Sequence, residues 1–122
     1  MKTILFVEDD PIIIKVYCEP LKRAGYQVEV AEDGLVAMRV LAQSCPDLVL
    51  LDIMMPRVEG TYVLKFIRSR AELAGTKVIV LSNASIMDAG SKVLEQNPDR
   101  VFLKSHCTPK ELLAAASELL AG

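Results

Sequence analysis

The sequence lacks any long run of like charge. Its 14 lysines and arginines are interspersed with 16 acids, for a net charge of −2, so there is no electrostatic case for nucleic-acid binding by these residues. Long apolar stretches are missing too. None exceeds five residues, which excludes a membrane-spanning helix, and Met1-Lys2-Thr3-Ile4 does not open the apolar region of a signal peptide. Cys18, Cys45 and Cys107 are odd in number, scattered and without metal-ligand spacing. They read as reduced thiols, mostly core filler. The single histidine, His106, has no ligand partner in sequence and reads as a surface or loop residue. No repeat, linker or low-complexity stretch interrupts the 122 residues, 52% of them hydrophobic. The expectation is a soluble, cytoplasmic, single domain over residues 1–122.

What is present is an alternation. Short apolar runs rich in β-branched residues fall at Ile4 to Val7, Gln27 to Ala31, Leu48 to Leu51, Val78 to Leu81 and Val101 to Leu103. Continuous apolar runs suit strands buried on both faces, hence a parallel sheet covered by helices. The second run is more polar, as befits an edge. Helical patterns fill the intervals. Asp10-Pro11 supplies a cap and a proline at the first helical position, opening a helix toward Ala24-Gly25. Pro20 is expected to kink or shorten it, because proline has no N–H to offer the carbonyl of Val16. Further helices are expected over Gly34 to Gln43, Thr61 to Leu73 and Ile86 to Gln96. Gly90 weakens the last of these. Thr108-Pro109-Lys110-Glu111 is a capping box that starts a final helix through Leu120. Five βα units in succession imply right-handed crossovers and a doubly wound α/β sheet in three layers.

In an open parallel sheet, ligands bind beyond the carboxyl ends of the strands. Glu8, Asp9 and Asp10 follow the first run, Asp52 the third, Ser82 the fourth and Lys104 the fifth. Asp10, placed before Pro11, reads as a helix cap. Carboxylates that converge repel one another and need a cation or protons to coexist. An all-oxygen set suits Mg²⁺. Lys104 and the Ser82 hydroxyl could then hold the oxygens of a phosphoryl group on Asp52.

These residues resemble, from end to end, the receiver domains of two-component response regulators. The matching pieces are Ile-Leu-Phe-Val-Glu8-Asp9, Leu-Val-Leu-Leu-Asp52-Ile-Met-Met-Pro56 with Glu59-Gly60, Val-Ile-Val-Leu-Ser82 and Val-Phe-Leu-Lys104. The steps of 43 from Asp9 to Asp52, 30 to Ser82 and 22 to Lys104 are similar to the family's own. The resemblance implies a flavodoxin-like five-stranded sheet in the order 2-1-3-4-5. It also implies Asp52 as phosphoacceptor, and Glu8, Asp9, Asp52 and the main-chain carbonyl of Met54 as ligands for Mg²⁺, with Mn²⁺ able to substitute. Ser82 would be the switch hydroxyl and Lys104 the lysine of the pocket. A sensor histidine kinase or phosphotransfer protein would be the donor, and a downstream protein or output domain the target. The face of the fourth expected helix and fifth strand would carry the output or, with the last helix, a homodimer. No enzyme activity is implied beyond the domain's own phosphotransfer and slow dephosphorylation.

The sequence departs from the family at several places. Val101 stands where receivers usually carry an aromatic, and Phe102 faces the other way by strand alternation. Ser105 replaces the proline that commonly follows the lysine, so a cis peptide is not expected there. Asn83 replaces a small residue after the hydroxyl. Met54 and Ala84, both apolar, are ill suited to orient a hydrolytic water. A docking module that works without phosphorylation is the alternative reading. An aspartate-nucleophile phosphatase would want Asp-x-Asp after the first strand, and a flavin carrier a glycine- and hydroxyl-rich loop there. Glu8-Asp9-Asp10-Pro11 supplies neither.

Overall fold

Apolar side chains stand on both faces of the central strands, so each strand must be covered twice. The computed structural model describes residues 1–53, 60–82 and 96–121. Its strands are β1 (Thr3–Val7), β2 (Gln27–Ala31), β3 (Leu48–Asp52), β4 (Lys77–Ser82) and β5 (Arg100–Leu103). They form one sheet in the order β2-β1-β3-β4-β5, every neighbouring pair parallel. This is the flavodoxin-like α/β order expected. Strand alternation sorts the core into two layers. Leu5, Val7, Val49, Leu51, Val78 and Val80 face α2 (Gly34–Gln43) and α3 (Gly60–Ser69). Ile4, Phe6, Leu48, Leu50, Ile79 and Leu81 face α1 (Pro11–Arg23) and the C-terminal helix (Pro109–Leu120). Burial of each such side chain contributes roughly 1.5–3 kcal/mol. β2 lies at the edge with Gln27 and Glu29 exposed, which explains its polar sequence.

Helix starts follow the sequence closely. The Asp10 carboxylate accepts from the Ile12 N–H at 2.9 Å, and Asp33 caps α2 by accepting from Val36 N–H at 2.9 Å. Thr108 and Glu111 form both bonds of the capping box. Two expectations need correction. Of the kink or shortening expected at Pro20, the shortening does not occur, and α1 runs on to Arg23. The carbonyl that loses its bond belongs to Val16, a residue on the exposed side of the helix. The helix expected over Thr61 to Leu73 ends at Ser69. Arg70 is extended, and a 3₁₀ turn follows at Ala71–Leu73. The buried stripe Val63, Leu64, Ile67 would leave Leu73 about 120° off the core side of a continued helix. Breaking the helix lets Leu73 reach the core, where it is fully buried.

Cys18 and Cys107 are buried, whereas Cys45 is exposed, so the core-filler reading holds for two of the three thiols. His106 is exposed. The helix expected over 86–96 falls outside the described residues except for Gln96, which lies in a turn. Among the described residues, no helix is long and apolar enough to cross a membrane.

Candidate functional site

Parallel pairing brings the carboxyl ends of β1, β3 and β4 to one edge. Val7 lies opposite Leu51, Asp52 opposite Leu81, and Ser82 opposite Leu103. The residues immediately beyond or at those ends are therefore neighbours in space. Carboxylate oxygens of Glu8, Asp9 and Asp52 lie within 4.8 Å of one another. Glu8 is fully buried and Asp52 is 1% exposed, while Asp9 faces solvent. Asp10 stands apart from this group and caps α1, as its place before Pro11 led us to expect.

Lys104 opens a 3₁₀ turn, Lys104–His106, directly after β5. Its Nζ lies 2.9 Å from Glu8 Oε1 and 2.9 Å from Asp52 Oδ2. The second Glu8 oxygen accepts from the backbone N–H groups of Asp9 and Asp10, each at 3.2 Å. Burial drives the Glu8 carboxyl up from 4.5 to about 7, helped by the charge of Asp52 and opposed by the hydrogen bond from Lys104. Burial would lower the Lys104 ammonium, but its bonds to Asp52 and Glu8 outweigh this and raise it. The ammonium thus holds two buried carboxylates together. The Ser82 hydroxyl is also fully buried, and it has no hydrogen-bond partner among the described residues.

Two supports for this edge were not apparent from sequence spacing. Gly60 donates its N–H to the Ile53 carbonyl at 3.0 Å. A Cβ on Gly60 would meet the Asp52 carbonyl oxygen at 2.5 Å and Ile53 Cα at 2.7 Å. Only glycine lets α3 start so close to the residue after Asp52. The other support is Tyr17, buried on α1, whose hydroxyl donates a hydrogen bond to the Cys107 carbonyl. A tyrosine among the apolar positions of α1 signals that its hydroxyl needs a buried acceptor, but not which one. Burial raises its pKa further, so the hydroxyl stays protonated and able to donate. Val101 packs with the α2/α3 layer and Phe102 with the opposite layer, as alternation required. Met54, with its carbonyl, and Pro56, Glu59, Asn83, Ala84 and Gly90 lie outside the described residues.

Among the described residues the cluster is three carboxylates without histidine or cysteine, a set that fits a hard divalent ion. The cluster resembles a Mg²⁺ site.

The chain matches the response regulator receiver domain over residues 4–117. It belongs to that family. The receiver is 37% identical over 120 residues to the DNA-binding dual master transcriptional regulator RpaA of Synechocystis sp., covering 98% of this chain and 49% of that protein. It is 33% identical over 117 residues to the response regulator MprA of Mycobacterium sp. (strain KMS), covering 96% of this chain and 50% of that one. The chain spans about half the length of these curated relatives. Among solved structures, it is similar to the receiver domain of a signal transduction histidine kinase from Syntrophus aciditrophicus. The TM-score is 0.91 at 30% identity, covering 100% of this chain and 92% of that one. It also resembles the response regulator TrrA from Thermotoga maritima, solved in complex with Mg²⁺-BeF. There the TM-score is 0.85 at 32% identity, covering 98% of this chain and 100% of that one. Receivers of this family are typically non-enzymatic phosphoacceptors.

Proposed function

We propose that Asp52 accepts a phosphoryl group from a phosphohistidine on a sensor histidine kinase or phosphotransfer protein. The observation that carries this is the buried Asp52 carboxylate, grouped with Glu8 and Asp9 and held at 2.9 Å by Lys104. An Asp52 oxygen attacks phosphorus in line, and the P–N bond breaks. The departing imidazole nitrogen keeps the bonding pair and takes a proton from solvent. Glu8, Asp9 and Asp52, with the Met54 main-chain carbonyl, would hold Mg²⁺, or Mn²⁺ in its place. Bound there, the ion supplies positive charge to the phosphoryl oxygens. Lys104 leaves its bond to Asp52 Oδ2 for a phosphoryl oxygen, and the buried Ser82 hydroxyl donates to another. The domain catalyses nothing beyond this transfer and its own slow dephosphorylation.

The added charge, up to about −2, recruits Ser82 at the end of β4. The change then passes to β5 and the helix expected over 86–96, which would form the face for a downstream protein, an output domain or a second copy. A cytoplasmic location goes with a kinase donor. RpaA is named as DNA-binding, but this receiver, with no basic block, is not expected to touch nucleic acid itself.

The test is intact-mass analysis after incubation with a small phosphodonor and Mg²⁺. A gain of one phosphoryl group in the wild type, abolished by Asp52→Asn, is expected. No gain, or a gain that survives Asp52→Asn, refutes the reading. One observation favours a phosphorylation-independent docking module instead, namely Val101 packed inward where an aromatic relay would stand. Mg²⁺ binding with no phosphoryl gain would support it.

A further inference from the structure

Lys104 can bridge Glu8 and Asp52 only if the backbone that carries it is held still, and the turn Lys104–His106 has little of its own to hold it. It is a single 3₁₀ turn without a side-chain cap at its start. Its leading end is fixed by β5, whose last residue Leu103 pairs with Ser82. Ser105 and His106 are exposed and, among the described residues, their side chains bond to each other, Ser105 Oγ to His106 Nδ1 at 2.8 Å. The trailing end is Cys107. Its carbonyl receives the Tyr17 hydroxyl, across 90 residues of sequence.

Tyr17 is well placed to act as a fixed post. It is 5% exposed, and its ring meets that of Phe6 edge-on, with centroids 6.2 Å apart and planes at 81°. Phe6 is fully buried in β1, two residues before Glu8. The same tyrosine therefore leans on the strand that delivers Glu8 and grips the turn that delivers Lys104. We propose that Tyr17 is a positioning residue for phosphotransfer, and that its bond to the Cys107 carbonyl sets the reach of Lys104 to Glu8 and Asp52. Without the hydroxyl, the trailing end loses its hydrogen bond and is held only by the buried Cys107 side chain and the helix that follows. Lys104 then spends less time between the two carboxylates, and small displacements of a charge-stabilising group are costly in rate.

The part that concerns phosphotransfer rests on the phosphoacceptor reading of Asp52, so the experiment has one arm that does not. Tyr17→Phe keeps the ring and removes only the hydroxyl, and its unfolding transition reports that it is folded. With a small phosphodonor and saturating Mg²⁺, Tyr17→Phe should phosphorylate about tenfold more slowly than wild type. In a Lys104→Ala background, Tyr17→Phe should cause no further loss, since its effect passes through Lys104. An equal fractional loss in both backgrounds would mean a general structural role and overturn the proposal. The independent arm is the side-chain ammonium signal of Lys104 in ¹⁵N–¹H NMR, assigned by its disappearance in Lys104→Arg. The ion-paired ammonium should give a protected signal in wild type that broadens or vanishes in Tyr17→Phe. An unchanged signal overturns the proposal whether or not Asp52 is phosphorylated. If wild type takes up no phosphoryl group, the phosphoacceptor reading fails, and the ammonium signal alone decides the role of Tyr17.

Discussion

Glu8 is the residue whose state depends most on its surroundings. Its pKa, raised to about 7 by burial, means that in the metal-free protein it carries a proton over much of the mildly acidic range. A raised folded-state value stabilises the fold fully below the ordinary value of 4.5, and that contribution is lost as pH rises through about 7. Metal-free protein should therefore lose up to roughly 3 kcal/mol from this group between those limits. Urea unfolding in EDTA at pH 5 and pH 8 will measure the loss, and Glu8→Gln should remove most of it. A proton on Glu8 also competes with a cation. Mg²⁺ affinity, followed by calorimetry, should weaken up to about tenfold per pH unit below 7 in wild type. A flat profile there would contradict a role for Glu8 in holding the ion. Gly60 makes a different demand at the same scale. A methyl at this position meets two backbone atoms, Asp52 O and Ile53 Cα, neither able to move freely. Gly60→Ala should cost about 1–3 kcal/mol in urea unfolding and slow phosphorylation of Asp52 as well.

At the scale of elements, the helices are held at their starts by short-range chemistry. In the C-terminal helix, Thr108 Oγ1 accepts from Glu111 N–H at 3.1 Å, and Glu111 Oε1 accepts from Thr108 N–H at 3.3 Å. Thr108→Ala should cost about 1 kcal/mol, read as a lower unfolding midpoint. The loss should leave phosphorylation little changed, because the box lies beyond the Cys107 anchor. The far end of the sheet has its own clasp. Arg68 in the last turn of α3 donates to the Thr76 carbonyl at 3.1 Å and the Asn97 carbonyl at 2.9 Å, and pairs with Asp99 at 3.0 Å. Asp99 in turn accepts from Val78 N–H at 2.8 Å. This network joins α3, the start of β4 and the approach to β5. Arg68→Met should destabilise by about 1–3 kcal/mol in the same assay, since it removes the charged donor shared by the Thr76 carbonyl and Asp99.

At the scale of the molecule, three carboxylates gathered at one edge work against folding until a counter-charge is present. Lys104 supplies one, and a divalent ion would supply more. A ligand that binds only the folded state stabilises it by mass action, about 2.7 kcal/mol at a hundredfold excess over Kd. Mg²⁺ should therefore raise the unfolding midpoint of wild type at pH 7.5 and leave that of an Asp9→Asn, Asp52→Asn variant nearly unmoved. An equal rise in both would place the ion elsewhere.

The strands, their order of appearance and the cap residues were legible in the sequence because they rest on local pattern. Apolar runs demand burial, Asp10 caps its own helix, and Thr108 with Glu111 completes a box three residues wide. The gathering of Glu8, Asp9, Asp52 and Lys104 was legible as well, because each stands at or just past the end of a strand and parallel strands end together. What only the tertiary structure decided depends on distances across the sheet. It separated buried Glu8 from exposed Asp9, put the Lys104 ammonium between Glu8 and Asp52, and ended α3 at Ser69 so that Leu73 could enter the core. It also joined Tyr17 to Cys107. No local pattern encodes these contacts, since each depends on how two elements far apart in sequence share one low-dielectric space.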